Sequence, residues 1–334
     1  AGAVYAENEA LRWIADLAGM PEGAGGVFVS GGTAGNLSAL LAARWDWRAR
    51  AHGARDRTRG LIVTSAGAHS SVAQAARVMD CDVVKVPADS AGRMSADALA
   101  ATFAGLADEA RERLMAIVAT AGTTNAGVVD DLAAAAATAR AERCWLHVDG
   151  AYGGAALAAP SVRHLFAGVE HADSFIVDPH KWLFAPFDSC AVLYRDPAIA
   201  RSAHTQHAEY LDVLHGTRSP DDGDWNPSDF AHHLTRRARG LPFWFSLATH
   251  GTEAYAQAIE TTLAVAHAGA ELIRASAHCE LVVEPELSVV VFRRVGWGPS
   301  DYQVWSERLL GAGEAFVVPT SWNGETVLRI CVVN

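Results

Sequence analysis

The stretch Leu114–Gly150 reads LMAIVATAGTTNAGVVDDLAAAAATARAERCWLHVDG. Leu114–Thr120 and Trp145–Val148 are short apolar runs with the look of buried strands, and between them Asp131–Ala141 is an alanine-rich helical stretch. Strand, helix and strand in that order define a parallel pair joined by a crossover helix. The alternation continues outward on both sides. Toward the N-terminus lie a strand at Gly26–Ser30, a helix at Ala34–Arg50, a strand at Leu61–Ser65, a helix around Ser70–Met79, a strand at Asp82–Val86 and a helix at Ser95–Leu106. Toward the C-terminus, Ser174–Val177 and Ala191–Tyr194 read as further strands. The expected fold class is α/β, a mostly parallel sheet covered on both faces. Right-handed crossovers then gather the strand C-termini along one edge, where ligands bind in open α/β sheets.

The pattern changes after Arg195. Residues 201–235 are polar and weakly periodic, with Ser219–Asp229 (SPDDGDWNPSD) expected as an exposed loop. A loop of that length in a compact protein is commonly a lid, a binding segment or a disordered stretch. Arg236–Ala275 reads as helix with a break at Gly251, and Leu281–Val283, Ser288–Arg293, Asp301–Leu310 and Val327–Val333 give a β-β-α-β pattern. We therefore expect a large domain over 1–249 and a small C-terminal α+β domain over 250–334 that reads as incomplete. Two domains also suit a chain of 334 residues, which can bury an extensive core without disulfides. Half of the residues are hydrophobic and 19% are charged, which excludes a disordered chain. The net charge of −11 argues against nucleic acid or an anionic membrane as the main partner. No apolar run has the length of a membrane span, and Ala1–Glu9 lacks the features of a secretory signal. Five scattered cysteines (Cys81, Cys144, Cys190, Cys279, Cys331) without a CxxC pair read as reduced thiols, and a cytoplasmic location is expected.

Four segments fall at strand ends: Ser30–Asn36 (SGGTAGN), Ala68–Val72 (AHSSV), His147–Tyr152 (HVDGAY) and Asp173–Trp182 (DSFIVDPHKW). Glycines that lead from a strand into a helix let backbone N–H groups close around an anion, so Gly31, Gly32 and Thr33 are candidate phosphate donors. The same residues also fit a tight turn without a ligand. Asp149 ends a buried strand and needs a donor or a cation, in a site or in a structural ion pair. Lys181 stands among Trp182, Leu183 and Phe184. In an apolar pocket its ammonium pKa would fall, which suits Schiff-base chemistry, whereas a snorkelling lysine is the plainer option.

Together, an anion-binding turn, a strand-end carboxylate and a reactive lysine are the parts of a pyridoxal 5′-phosphate (PLP) site. The motifs ATAGTTNAGVVDD (Ala119–Asp131), WLHVDGAYGGAA (Trp145–Ala156) and ADSFIVDPHKWL (Ala172–Leu183) make the chain resemble the group II PLP-dependent amino acid decarboxylases. That family includes the aromatic-L-amino-acid and glutamate decarboxylases, and the likeness covers most of Ala1–Leu247. The resemblance implies the fold-type I PLP-dependent transferase-like architecture. It implies catalytic roles for Lys181 as Schiff-base lysine, Asp149 as partner of the pyridine nitrogen, and His69 stacked on the ring and orienting the substrate carboxylate. It also implies that Gly31, Gly32, Thr33 and His180 surround the phosphate with Asp178 nearby, that Thr124 and Asp130 lie close to the cofactor, and that Ala151 packs under the ring. The activity implied is decarboxylation of an L-amino acid to an amine and carbon dioxide in a homodimer. Trp182 and Phe184 lean toward an aromatic or bulky apolar substrate.

One departure stands out. Relatives carry a loop tyrosine shortly before the run that here is Arg236-Arg237-Ala238-Arg239, and its place falls near Trp225–Pro227, where no tyrosine stands. Tyr210 matches a different tyrosine of the pattern. Either another group, such as His232 or His233, returns the proton to Cα, or the outcome differs, as in oxidative deamination to an aldehyde. The chain is also shorter than the family pattern at both ends. A non-catalytic protein on a degenerate PLP fold, an aminotransferase or desulfurase, and a metal enzyme using His204, His207, His232 or His233 are the rival readings. HxxH in a polar loop lacks the carboxylate and helical spacing of a zinc site, so no metal is expected.

Overall fold

The computed structural model describes residues 2–52, 58–206 and 226–334. Helix α1 (Gly2–Leu17) leads into β1 (Gly25–Val29), α2 (Gly32–Trp47), β2 (Leu61–Ser65), α3 (Ser70–Val78) and β3 (Asp82–Val86). Next come α4 (Ala96–Ala104), α5 (Asp108–Glu112), β4 (Leu114–Thr120), α6 (Leu132–Glu142), β5 (Trp145–Asp149), β6 (Ser174–Val177), α7 (Pro179–Trp182), β7 (Cys190–Tyr194) and α8 (Pro197–His204). The first seven strands form one sheet in the order β1-β7-β6-β5-β4-β2-β3. Strand β7 runs antiparallel to both its neighbours, and the remaining pairs are parallel. The sheet is therefore the mostly parallel α/β sheet that the strand–helix alternation implies.

Every residue of β1, β2, β4, β5, β6 and β7 is buried, whereas the edge strand β3 is mostly half-buried with Lys85 exposed. A strand covered on both faces must be apolar throughout, which is why these segments read as continuous runs. The covering helices begin where short polar side chains can take their free N–H groups: Ser95 caps α4 and Asp131 caps α6. Helix α6 lays Ala135, Ala136 and Ala139 against the sheet, and these small residues let the backbone approach closely.

Helix α9 (Leu241–His250) and helix α10 (Thr252–Ala275) meet at Gly251, whose φ of +78° suits a glycine and interrupts the helical run. The helical run starts five residues later than the pattern implied. Arg236 is held by Glu7, Arg237 and Arg239 are held by Asp188, and Pro242 fits only the first turn of a helix. After α10 come β8 (Cys279–Val283), β9 (Val289–Arg294), α11 (Pro299–Ala312), β10 (Thr320–Trp322) and β11 (Glu325–Cys331). Their strands form an antiparallel sheet in the order β10-β11-β9-β8. Strand β10 has no counterpart in the sequence reading. Asn323 (φ +48°) and Gly324 (φ +82°) make the two-residue hairpin that creates it. Tyr152 Oη bonds Ser288 at 2.7 Å and Arg329 donates to the Thr124 carbonyl at 2.9 Å, so the small sheet is tied to the C-terminal edge of the large one. Among the described residues all five cysteines are free thiols, and no helix is long and apolar enough to cross a membrane.

Candidate active site

The C-terminal ends of β1, β2, β4, β5 and β6 open onto a cavity of about 400 Å³. Its lining includes Gly31, Gly32, Thr33, His69, Thr124, Asp149, Ala151, Asp178, His180 and Lys181, so the structure brings together every residue for which the resemblance implied a catalytic or cofactor-binding role except Asp130. Ser30, Asn36, Thr120, Gly122, Tyr152 and Phe187 also line it, and the sequence reading assigned none of these a role there.

Each group is delivered by a strand end. Gly31 precedes α2, and Gly32 and Thr33 open it, so the free N–H groups of its first turn and the positive end of its dipole face the cavity. Bulk is excluded here. A Cβ on Gly32 would lie 3.1 Å from Ala151 Cβ and 3.2 Å from Asp178 Oδ2. Asp149, the last residue of β5, is 4% exposed. Its Oδ2 accepts from Asn36 Nδ2 at 2.8 Å and its Oδ1 from the Ala151 N–H at 3.1 Å, which leaves it able to accept one more donor. His69 caps α3, its Nδ1 accepting the Ser71 N–H at 3.2 Å.

Asp178, Pro179, His180 and Lys181 follow β6 directly. Asp178 Oδ2 accepts the Gly32 N–H at 3.2 Å, lies 2.9 Å from Lys181 Nζ and 3.8 Å from His180 Nε2. His180 Nδ1 accepts from the Ser189 N–H at 3.0 Å. The lysine differs from the expectation of a depressed pKa. Burial lowers its pKa, but the attraction and hydrogen bond of Asp178 outweigh that, and the ammonium is held above its ordinary value. The side chain sits at a partly open rim rather than in an apolar pocket, being 42% exposed.

Two further expectations are corrected. Trp182 does not face the cavity: it is fully buried, stacks on Tyr152 at 5.2 Å between centroids, and donates from Nε1 to Thr262 Oγ1 at 2.8 Å. Successive residues of the single turn α7 point to different sides, so the tryptophan enters the core while the lysine faces the cavity. Asp130 lies apart from the cavity, where its carboxylate accepts the N–H groups of Thr120 at 2.8 Å and Met94 at 2.7 Å. Burial raises its pKa to about 6. Its influence on the site runs through the backbone at the end of β4.

The histidines of the polar segment stand elsewhere. His204 Nε2 bonds the Ser38 carbonyl at 3.0 Å and His232 bonds Ser38 Oγ at 3.1 Å, on the flank of α2, and neither they nor His233 line the cavity. His207, Tyr210 and Trp225 lie outside the described residues, as does most of the expected loop Ser219–Asp229. No group of metal-ligating side chains occurs among the described residues.

The missed residues had a signal. His147 and Asp149 are two apart on one strand and so share a face, and Asn36 follows the glycine turn by one helical turn. Asn36 bridges the two, with His147 Nε2 at 2.8 Å from its Oδ1.

The cavity meets the demands of PLP. A helix N-terminus can take a phosphate, a buried carboxylate with an accepting position left can hold a pyridinium N–H, and a primary amine stands beside them. Asp178 Oδ1 is buried without a hydrogen-bond partner, an unmet polar demand at the same place. This combination on a doubly wound α/β sheet defines the fold-type I PLP class. Residues 3–295 match the pyridoxal-dependent decarboxylase conserved domain. The chain belongs to this family, the PLP-dependent carboxy-lyases that act on amino acids. It is 29% identical to an aromatic-L-amino-acid decarboxylase of Bacillus atrophaeus, over all of this chain and 70% of that protein. It is 34% identical to an L-2,4-diaminobutyrate decarboxylase of Rhizobium meliloti (strain 1021), over 99% of this chain and 66% of that protein. Its fold superposes on Oryza sativa TDC, solved with PLP and tryptamine, with a TM-score of 0.87 and 28% identity over 99% of this chain and 72% of that one. The chain thus spans about two thirds of the length of these relatives.

Proposed function

We propose that this chain decarboxylates an L-amino acid with bound PLP and favours an aromatic or bulky apolar side chain. The observation that carries the reading is the convergence of Lys181 Nζ, the Asp149 carboxylate and the N-terminus of α2 on one cavity. When bound, PLP supplies a ring that draws electrons from the substrate's Cα as carbon dioxide departs. Lys181 would anchor the cofactor, and Asp178, 2.9 Å away, would orient the lysine side chain toward it. Asp149 would keep a proton on the pyridine nitrogen. Gly31, Gly32, Thr33 and His180 would hold the phosphate, with Asp178 nearby. Thr124 would lie near the ring, Ala151 would pack against it, and His69 would flank it and orient the substrate carboxylate. Asp130 acts at one remove, by holding the Thr120 N–H.

The substrate preference draws on an adjoining cavity of about 560 Å³ whose walls include Tyr152, Phe184, Val289 and Val333 beside the cations Lys181 and Arg329, with no Asp or Glu side chain among the described residues. An aromatic ring suits such walls, whereas a diaminobutyrate ammonium would lack a counter-charge there. The relatives named as decarboxylases favour release of an amine over aldehyde formation. The division into a cofactor unit over 1–249 and a small unit over 250–334 is likewise our reading, supported by the break at Gly251 and by the two separate sheets. We further propose a cytoplasmic homodimer, for which the free thiols and the family resemblance speak.

The test combines absorbance with product analysis. Wild-type protein incubated with PLP should show a visible band, absent in Lys181→Ala, and should release carbon dioxide and amine from L-tryptophan or L-phenylalanine faster than from L-2,4-diaminobutyrate. Full turnover by Lys181→Ala would overturn the mechanism. A preference for diaminobutyrate would overturn the substrate assignment, and aldehyde with peroxide would overturn the outcome. Light scattering should give twice the chain mass.

A further inference from the structure

Beneath the cavity runs a buried chain of hydrogen bonds. Trp145 Nε1 donates to Ser174 Oγ at 2.8 Å, Ser174 Oγ meets His147 Nδ1 at 2.8 Å, and His147 Nε2 meets Asn36 Oδ1 at 2.8 Å. Asn36 Nδ2 reaches both Asp149 Oδ2 and Ser71 Oγ at 2.8 Å, and Ser71 Oγ meets His69 Nδ1 at 2.8 Å. Asn36, Asp149, His147, Ser71 and Ser174 are each less than 5% exposed, so water does not compete for the bonds among them, whereas His69 at the end of the chain is exposed.

The direction of every bond follows from its two ends. A carboxylate only accepts, so the Asn36 amide must turn its NH₂ toward Asp149 and its oxygen toward His147. The oxygen needs a donor, so His147 carries its proton on Nε2. Burial pushes the His147 pKa below its ordinary value, which keeps the ring neutral. Its Nδ1 is then an acceptor and takes the Ser174 hydroxyl, whose oxygen accepts from Trp145. At the other end, the second proton of the Asn36 amide goes to the oxygen of Ser71. The Ser71 N–H donates to His69 Nδ1 at 3.2 Å, which makes that nitrogen an acceptor and turns the Ser71 hydroxyl toward it. Both ends demand one order.

We infer that Asn36 is a positioning residue whose amide couples Asp149 to His69, so that His69 is held with its proton on Nε2, free to donate to a ligand oxygen in the cavity. The PLP reading gives this arrangement its use, because the carboxylate under the ring and the imidazole that meets the substrate would be set by one side chain. The hydrogen-bond order does not depend on that reading.

Protein labelled with ¹⁵N in its histidine rings, read by NMR with and without PLP, tests it. Wild type should show both His69 and His147 protonated on Nε2 alone. Asn36→Leu, which keeps bulk and removes both functions, should release His147 from that tautomer and lower kcat by about tenfold or more, the scale of one hydrogen bond to a charged group. Ser71→Ala should loosen His69 and reduce kcat, with Ser71→Thr restoring both. His147 protonated on Nδ1 in wild type would overturn the inference without any variant. So would an Asn36→Leu protein that folds with wild-type tautomers and wild-type kcat. Absence of the visible PLP band in wild type, with tautomers as expected, would instead refute the cofactor reading and leave the relay standing.

Discussion

The large sheet carries a cavity at each end of β5, and the two are built differently. At the C-terminal edge, strand ends deliver glycines, the carboxylates of Asp149 and Asp178, Lys181 and the start of α2 into about 400 Å³. At the opposite edge a roomier cavity of about 540 Å³ is lined by Arg50, Arg140, Arg143, Arg195, Asp46 and Asp173. Much of that charge is spent on the structure: Arg50 pairs with Asp46, Arg195 donates to the carbonyls of Glu170 and Ala172, and Asp173 accepts the Leu146 N–H. Size does not separate the two. What does is that parallel strands all finish on one side, so chemistry from five separate segments can converge there with a helix N-terminus.

The comparison can be broken in several ways. The largest effect is expected from Lys181→Ala, with no measurable turnover; substantial residual activity would move the chemistry elsewhere. Asp149→Asn keeps the shape and removes the charge, and should lower kcat by about a hundredfold or more in steady-state assays. Gly32→Val tests the cradle. Its Cβ would press on Ala151 and Asp178, and PLP affinity measured by fluorescence titration should fall by about tenfold.

A stability measurement sharpens the contrast between buried histidines and the open rim. Burial pushes His204 down to about 4 from its ordinary 6.5. Because the folded pKa is the lower one, this stabilising contribution is complete above pH 6.5 and disappears as pH falls through 4. It amounts to roughly 3 kcal/mol at most. Asp130, raised to about 6, acts oppositely: its contribution is complete below its unfolded value near 3.8 and is lost as pH rises through 6. Urea midpoints between pH 7 and 4 should therefore fall less steeply for His204→Gln than for wild type. The smallest effect is expected at the other edge, where the double variant Arg140→Ser, Arg143→Ser should leave kcat within about twofold, as surface changes away from a site do.

Much of this was legible in the chain. The buried strands announce themselves because a two-sided apolar environment tolerates no alternation, and HVDGAY and DPHKW mark their own strand ends. Other features were hidden for identifiable reasons. Trp182 looked like a pocket residue because its neighbour Lys181 is one, but adjacent residues on a turn diverge. Asp130 sits in a motif shared with site residues yet spends its carboxylate on the backbone. Strand β10 exists only because the Asn323-Gly324 turn folds it onto β11, and three residues carry too little pattern to show.

The sequence by itself determined the α/β class, the family and the identity of the reactive groups, because period, turn chemistry and motif spacing are local properties. Only the tertiary structure decided which of those groups meet. It left the local pair Lys181 and Asp178, three residues apart on one turn, at a partly open rim, where their contact reverses the expected direction of the lysine's pKa. It also placed Asn36 between Asp149 and Ser71, across 113 and 35 residues of chain. Coulombic and hydrogen-bond energies depend on distance in space, and that distance is set by how strands far apart in sequence are laid side by side.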